Sequence, residues 1–159
     1  QSRQASRVDL MKIAVGSDHR GIRVKTRVID LLDTCGHSAI DEGAHNDDSI
    51  DYPDIASAVS ARVISGDADR GILICGTGIG MAIAANKHDG IRAAAVYDEV
   101  AADLCRRHND VNVLCLSGDM LGERNIDQLI QIWLETDFEG GRHARRLEKI
   151  AMLEQDPEE

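Results

Sequence analysis

Apolar residues recur along the chain in two alternating patterns. Short continuous runs read as strands: MKIAVG at 11–16, RGILIC at 70–75, IRAAAVY at 91–97 and VNVLCL at 111–116, with a weaker run at 38–40. The runs at 70–75 and 91–97 have no polar alternation, which predicts strands buried on both faces. Between the runs the spacing changes to three and four. Val24, Val28 and Leu31 share one helical face that stops at Gly36, and Ile55, Val59 and Val63 share another that stops at Gly66. The polar stretch 41–53 reads as a loop closed by Tyr52-Pro53, with Asp54 as cap of the helix that follows. A small-residue helix is predicted over Gly80 to His88, and a helix capped by Asp98 runs to about Arg107. Ile126, Leu129, Ile130, Trp133 and Leu134 mark a strongly amphipathic helix, and 144–155 is a last helical segment with Leu147, Ile150 and Ala151 on one face.

Strand and helix thus alternate five times. That order predicts an α/β chain: a single-domain, doubly wound, five-stranded parallel sheet of Rossmann or flavodoxin-like type, with right-handed crossovers and a C-terminal helix. The domain spans 11–155; residues 1–10 show no periodicity and read as a disordered extension, and 156–159 as a tail. Ligands of such sheets bind beyond the carboxyl ends of the strands. This directs attention to 16–21, 41–53, 75–80, and 108–109 together with 117–123.

Composition narrows the picture. Aromatics are only 3% of the chain, so the core must be built from Ile, Leu, Val and Ala, which suits layered α/β packing. A net charge of -10 excludes the basic stripe of a nucleic-acid binder, and any phosphate site must be made locally. Arg142, His143, Arg145, Arg146 and Lys149 form one such cluster. The apolar runs are too short to span a membrane. Cys35, Cys75, Cys105 and Cys115 form no C-x-x-C pair, and free thiols in a reducing cytoplasm are expected. Cys35, Cys105 and Cys115 read as core. The histidines His37, His45, His88 and His143 lack metal-ligand spacing, so no metal is expected.

Three segments can carry chemistry. CGTGIG at 75–80 joins a strand to a helix N-terminus, and Gly76, Gly78 and Gly80 allow several N–H groups to aim at one anion. The anion is a phosphate or a developing oxyanion. The loop lacks the P-loop Gly-Lys-Ser/Thr and is G-x-G-x-G rather than G-x-G-x-x-G, although Asp98 stands about where a ribose-binding acid would be. Cys75 directly before the loop faces the helix N-terminus, which favours the thiolate; the plainer alternative is a small buried hydrophobe. Asp18-His19, in GSDHRG at 16–21, puts a carboxylate and an imidazole at the same sheet edge, or else caps the next helix. His108, in His108-Asn109-Asp110, closes a helix whose dipole favours the protonated ring.

GSDHRG, DYPDIA (51–56), GILICGTGIGMAIAANK (71–87), GIRAA (90–94), RHNDVNVL (107–114) and EGGRHARRLEKI (139–150) follow one another in order. Together they resemble the ribose-5-phosphate isomerase B family, which includes galactose-6-phosphate isomerase subunits. The resemblance spans about 11–155. It implies a cofactor-independent aldose–ketose isomerase that interconverts ribose 5-phosphate and ribulose 5-phosphate through an enediolate. It also implies homodimers or dimers of dimers whose active sites are shared between subunits. Cys75 then matches the general base. Gly76 to Gly80 match the nest for the enediolate oxygens, and Thr77 an assisting hydroxyl. His108 matches the residue that opens the sugar ring, Asp18 and Asn109 sugar contacts, and Tyr52 a pocket wall. His19, Arg142 and Arg146 match phosphate ligands.

One position departs from that pattern. The family commonly carries an Arg after the fifth strand as a further phosphate ligand from the neighbouring subunit; here LSGDMLGER places Asp119 there, with Arg124 five residues on. Asp119 must turn away from a phosphate, bind a sugar hydroxyl, or pair with an arginine. Two alternatives follow: an isomerase of a tetrose or hexose phosphate, and a non-catalytic nucleotide-binding module.

Overall fold

The computed structural model describes residues 9–155. Most of the expected 1–10 extension and the 156–159 tail lie outside these residues. Five strands and six helices alternate: β1 (Lys12–Ser17), α1 (Ile22–Thr34), β2 (Ser38–Asp41), α2 (Tyr52–Ser65), β3 (Arg70–Cys75), α3 (Ile79–Ala85), β4 (Ala93–Ala95), α4 (Glu99–Arg107), β5 (Val113–Ser117), α5 (Glu123–Glu135) and α6 (Arg142–Met152). The sheet is all parallel with order β2-β1-β3-β5-β4. The order reverses between β1 and β3, so the crevice of a doubly wound sheet opens at their carboxyl ends.

The pleat sends alternate residues to two cores. Ile13, Val15, Ile72, Ile74, Leu114 and Leu116 pack under α1, α4 and α5. Ala14, Leu73, Cys75, Val113 and Cys115 pack under α2 and α3. The helices contribute the expected stripes: Ile126, Leu129, Ile130, Trp133 and Leu134 of α5 are all buried. On α1 the buried set is Lys25, Val28 and Leu32, one position round from the expected face. Lys25 is neutralised in place, donating to Asp41 Oδ1 at 2.8 Å and to the Ala44 carbonyl. It thereby ties α1 to the loop after β2.

Four expectations need correction. The run at 91–97 forms only a three-residue strand at the sheet edge, and its alanines are half-buried, because β5 and not β4 lies beside β3. Helix α2 begins at Tyr52, with Asp51 as its N-cap and Pro53 in the first turn, so Tyr52-Pro53 opens the helix and Asp54 does not cap it. Cys35 is exposed, since it falls on the C-cap of α1 and leaves the buried stripe. Finally, the loop that carries 108–109 runs from a helix into a strand and therefore lies at the amino edge of a parallel sheet, away from the carboxyl-edge crevice. Cys105 and Cys115 are buried as expected.

Candidate active site

The crevice is built from the ends of β1, β3 and β5. Cys75 is the last residue of β3, 6% exposed, and its Sγ accepts the Gly78 N–H at 3.2 Å. An N–H aimed at the sulfur stabilises negative charge there. The loop can fold back in this way because Gly78 has φ +79°, and a Cβ there would stand 3.1 Å from the Leu116 carbonyl carbon. The turn is pinned on both sides: Gly118 N–H donates to the Cys75 carbonyl, and Ser117 Oγ donates to the Gly76 carbonyl at 2.6 Å. Thr77 Oγ1 accepts the Ile79 N–H, and the Thr77 carbonyl accepts the Tyr97 hydroxyl at 2.6 Å. The Tyr52 ring lies directly on Gly80, where a Cβ would approach its Cζ to 2.7 Å.

Asp18 and His19 stand across from this loop at the end of β1. Asp18 is buried, and its Oδ1 accepts the N–H groups of Arg20 and Gly21, so it shapes the turn into α1. His19 Nδ1 accepts the Ile50 N–H at 3.2 Å, which joins the β1 end to the segment before α2. Asp119 pairs with Arg20, whose Nη2 donates to Asp119 Oδ2 at 2.5 Å; the pairing arginine is neither Arg142 nor Arg146. Sequence reasoning passed over Arg20, Ser117 and Tyr97. Arg20 and Ser117 lie in the marked segments 16–21 and 117–123, which was their only signal, and the register that sets Ser117 opposite Cys75 comes from the assembled sheet. Asp98 is engaged as a helix cap, accepting the Ala101 N–H at 2.7 Å, which takes the acid that a dinucleotide reading needs.

The other expected site residues gather at the opposite edge. Gly71 pairs with Val113 at the start of β5, whereas Cys75 pairs with Ser117 at its end. That separation alone is roughly 13 Å at the usual rise, and His108 and Asn109 lie beyond it. The Glu139 N–H donates to the Arg107 carbonyl, bringing the start of α6, with Arg142 and Arg146, to the same edge. The turn there is rigid: Asp110 has φ +45° and accepts from Arg106 Nη1 at 2.7 Å and from Arg92 Nη2 at 3.3 Å. Within one protomer, then, Cys75, Thr77, Gly76, Gly78, Gly80, Tyr52, Asp18 and His19 come together, and His108, Asn109, Arg142 and Arg146 form a second group.

The second group contains an arrangement that sequence spacing did not reveal. The His143 ring stacks on His108 with centroids 4.2 Å apart and planes within 11°, and its Nε2 lies 3.5 Å from Glu139 Oε2. Burial first, and then His108 and Arg142, holds the His143 pKa below the usual imidazole range. Ligand atoms of His108, Glu139 and His143 lie within 4.8 Å of one another. Parallel rings, however, point their nitrogen lone pairs in parallel planes rather than at one point, so the group reads as a stack that orients His108 rather than as a chelate. A cleft of about 560 Å³ lies beside it, between α6 and the β4 edge, lined by Asn86, Arg92, Asn109, Leu147, Ile150 and Leu153 among others. It runs along the apolar face of α6, whose Ile150 and Leu153 stay exposed within the protomer. No helix among the described residues is long and apolar enough to cross a membrane.

Comparison with known proteins is consistent along nearly the whole chain. The family described as Ribose/Galactose Isomerase matches residues 13–150. Ribose-5-phosphate isomerase B of Escherichia coli is 42% identical over 146 residues, 92% of this chain and 98% of that one. A putative sugar phosphate isomerase of Bacillus subtilis is 44% identical, covering 91% and 98%. Among solved structures, ribose-5-phosphate isomerase B of Clostridium thermocellum superposes with a TM-score of 0.89 at 46% identity, covering 91% and 97%. The Mycoplasma genitalium enzyme, solved with bound ribulose-5-phosphate, superposes with a TM-score of 0.86 at 41% identity, covering 90% and 95%.

Proposed function

The chain belongs to the ribose/galactose isomerase family, and from that membership we propose that it interconverts ribose 5-phosphate and ribulose 5-phosphate with Cys75 as general base. The observation that carries the chemistry is Cys75 Sγ at the end of β3, held inside a glycine loop by the Gly78 N–H. With the open-chain aldose bound, the Cys75 thiolate takes the proton from C2. The C–H electron pair forms the C1–C2 double bond, and the carbonyl pair moves onto O1. The same thiol returns its proton to C1 while the O2 proton passes to O1, which leaves a hydroxymethyl group at C1 and the ketone at C2. The N–H groups of Gly76 and Gly80 face charge that exists on the oxygens only as the proton moves, while that of Gly78 serves the Cys75 sulfur, and that differential is what lowers the barrier. Thr77 assists in this loop, Tyr52 walls the pocket, and Asp18 and Asn109 contact sugar oxygens. His108 opens the ring before the proton transfer.

The substrate's phosphate is held by His19, Arg142 and Arg146. Because Arg142, Arg146, His108 and Asn109 lie at the far edge of their own sheet, the working unit is a homodimer, or a dimer of dimers, in which these residues complete the site of the partner. The uncovered apolar face of α6 and the exposed Ile79, Ile83, Val100 and Leu104 support such an assembly. The compartment is the cytoplasm, where free Cys75 stays reduced. Asp119 favours one second reading, a tetrose or hexose phosphate as substrate. A coupled assay over four- to six-carbon sugar phosphates separates the two: turnover is expected to be greatest on ribose 5-phosphate, and a preference for another sugar phosphate would establish the second reading instead.

A further inference from the structure

We propose that Arg20 is a substrate ligand that binds the phosphoryl group of the sugar, and that Asp119 is the positioning residue that holds its guanidinium at the mouth of the glycine loop. The inference rests on the isomerase reading above and extends it to two residues outside that reading's site. Arg20 directly follows Asp18-His19 at the end of β1, and Asp18 Oδ1 fixes its backbone N–H at 3.0 Å. β1 lies beside β3, so this turn faces the glycine loop across the crevice. The guanidinium lies over Gly76, the residue after Cys75. A Cβ built there would stand 3.6 Å from Arg20 Nη1, 3.8 Å from its Cζ and 3.1 Å from Asp119 Oδ2.

The pair faces outward: the side chains are 61% and 44% exposed. Among the described residues the guanidinium donates to Asp119 alone, so most of its five N–H donors remain available. An ion pair this exposed is weak, and a phosphate dianion with a fork-matched arginine is a stronger partner. In a chain of net charge -10 a lone carboxylate at this position would repel that dianion. With Arg20 held against it, Asp119 instead aims a cation.

The test is steady-state kinetics with ribose 5-phosphate, with inorganic phosphate as competitive inhibitor. Arg20→Ala is expected to raise KM and the phosphate inhibition constant together, each by about tenfold, with kcat within about threefold of the parent. Arg20→Ala/Asp119→Arg is expected to bring KM back to within about threefold of the parent, because the cation returns to the same place. Arg20→Ala/Asp119→Ala is expected to keep a raised KM. If that double alanine variant regains the parent KM, Arg20 only neutralises Asp119 and the proposal is wrong. It is equally wrong if Arg20→Ala leaves KM and phosphate inhibition unchanged. A parent enzyme inactive on ribose 5-phosphate would overturn the isomerase reading itself, which the parent assay reports separately.

Discussion

At the scale of single residues, the site sets chemistry by what each polar atom faces. Cys75 differs from the other buried thiols in receiving an N–H at its sulfur. Burial instead pushes the Cys105 thiol up to about 11 and the Cys115 thiol higher still. Cys75→Ala is expected to lower kcat on ribose 5-phosphate by at least about a hundredfold while the far-UV spectrum is unchanged, since the base acts in the chemical step. A near-normal kcat would remove Cys75 from the mechanism. His37 gives a second residue-scale prediction. Its Nδ1 accepts the Met11 N–H at 3.0 Å, which requires the neutral ring, and burial first, then Arg70, lowers its pKa from 6.5. The unfolded chain therefore binds the proton more readily. The stability this residue contributes is complete above about 6.5 and is lost as pH falls from there towards the folded value. Urea unfolding from pH 7.5 to 5 is expected to show a shallower acid-side loss in His37→Asn than in the parent, and equal slopes would contradict it.

At the scale of elements, caps and register decide where side chains arrive. α4 starts at Asp98 because its carboxylate takes the Ala101 N–H, and it ends at His108. The cap therefore fixes one end of the helix whose other end presents the His108–His143 stack. Asp98→Ala is expected to cost about 1 kcal/mol of stability by urea unfolding, and Asp98→Asn distinctly less. A loss under a few tenths would mean that tertiary contacts alone hold the helix start. α6 shows the opposite balance. Its apolar residues Ile150, Met152 and Leu153 are exposed in the protomer, so packing within one chain does not account for its pattern.

At the scale of the whole molecule, the two edges of the sheet carry the two groups of expected site residues. A parallel sheet cannot bring its own edges together. If each protomer completes its partner's site, Cys75→Ala and His108→Asn oligomers are each inactive, but a mixed dimer has one site with both residues intact. Mixing the two variants under conditions of subunit exchange is expected to restore up to about a quarter of parental activity, from random assortment with one good site in half of the dimers. Exchange demonstrated by mass labelling, with no return of activity, would show that each protomer works alone.

The sequence by itself determined the layered fold, because a continuous apolar run and a period of three to four residues are local signals, and β3 and α5 carry them. It also located the glycine loop and Cys75, since glycines between a buried strand and a helix are legible in the local sequence and permit the left-handed turn at Gly78. It misread what depends on neighbours. IRAAAVY reads as a buried strand from its apolarity, but only the order of the sheet decided that β4 is a half-buried edge. Lys25 looks like a surface residue until Asp41 and Ala44, sixteen and nineteen positions away, close over it. The segment 108–109 has the residues of an active site, yet chain direction put it at the amino edge, remote from Cys75. Arg20 and Asp119 are 99 residues apart, and only the adjacency of the β1 and β3 ends, with the loop after β5, made them a pair. Local sequence sets dihedral preferences and periodicity; contacts across such separations exist only once the sheet has assembled.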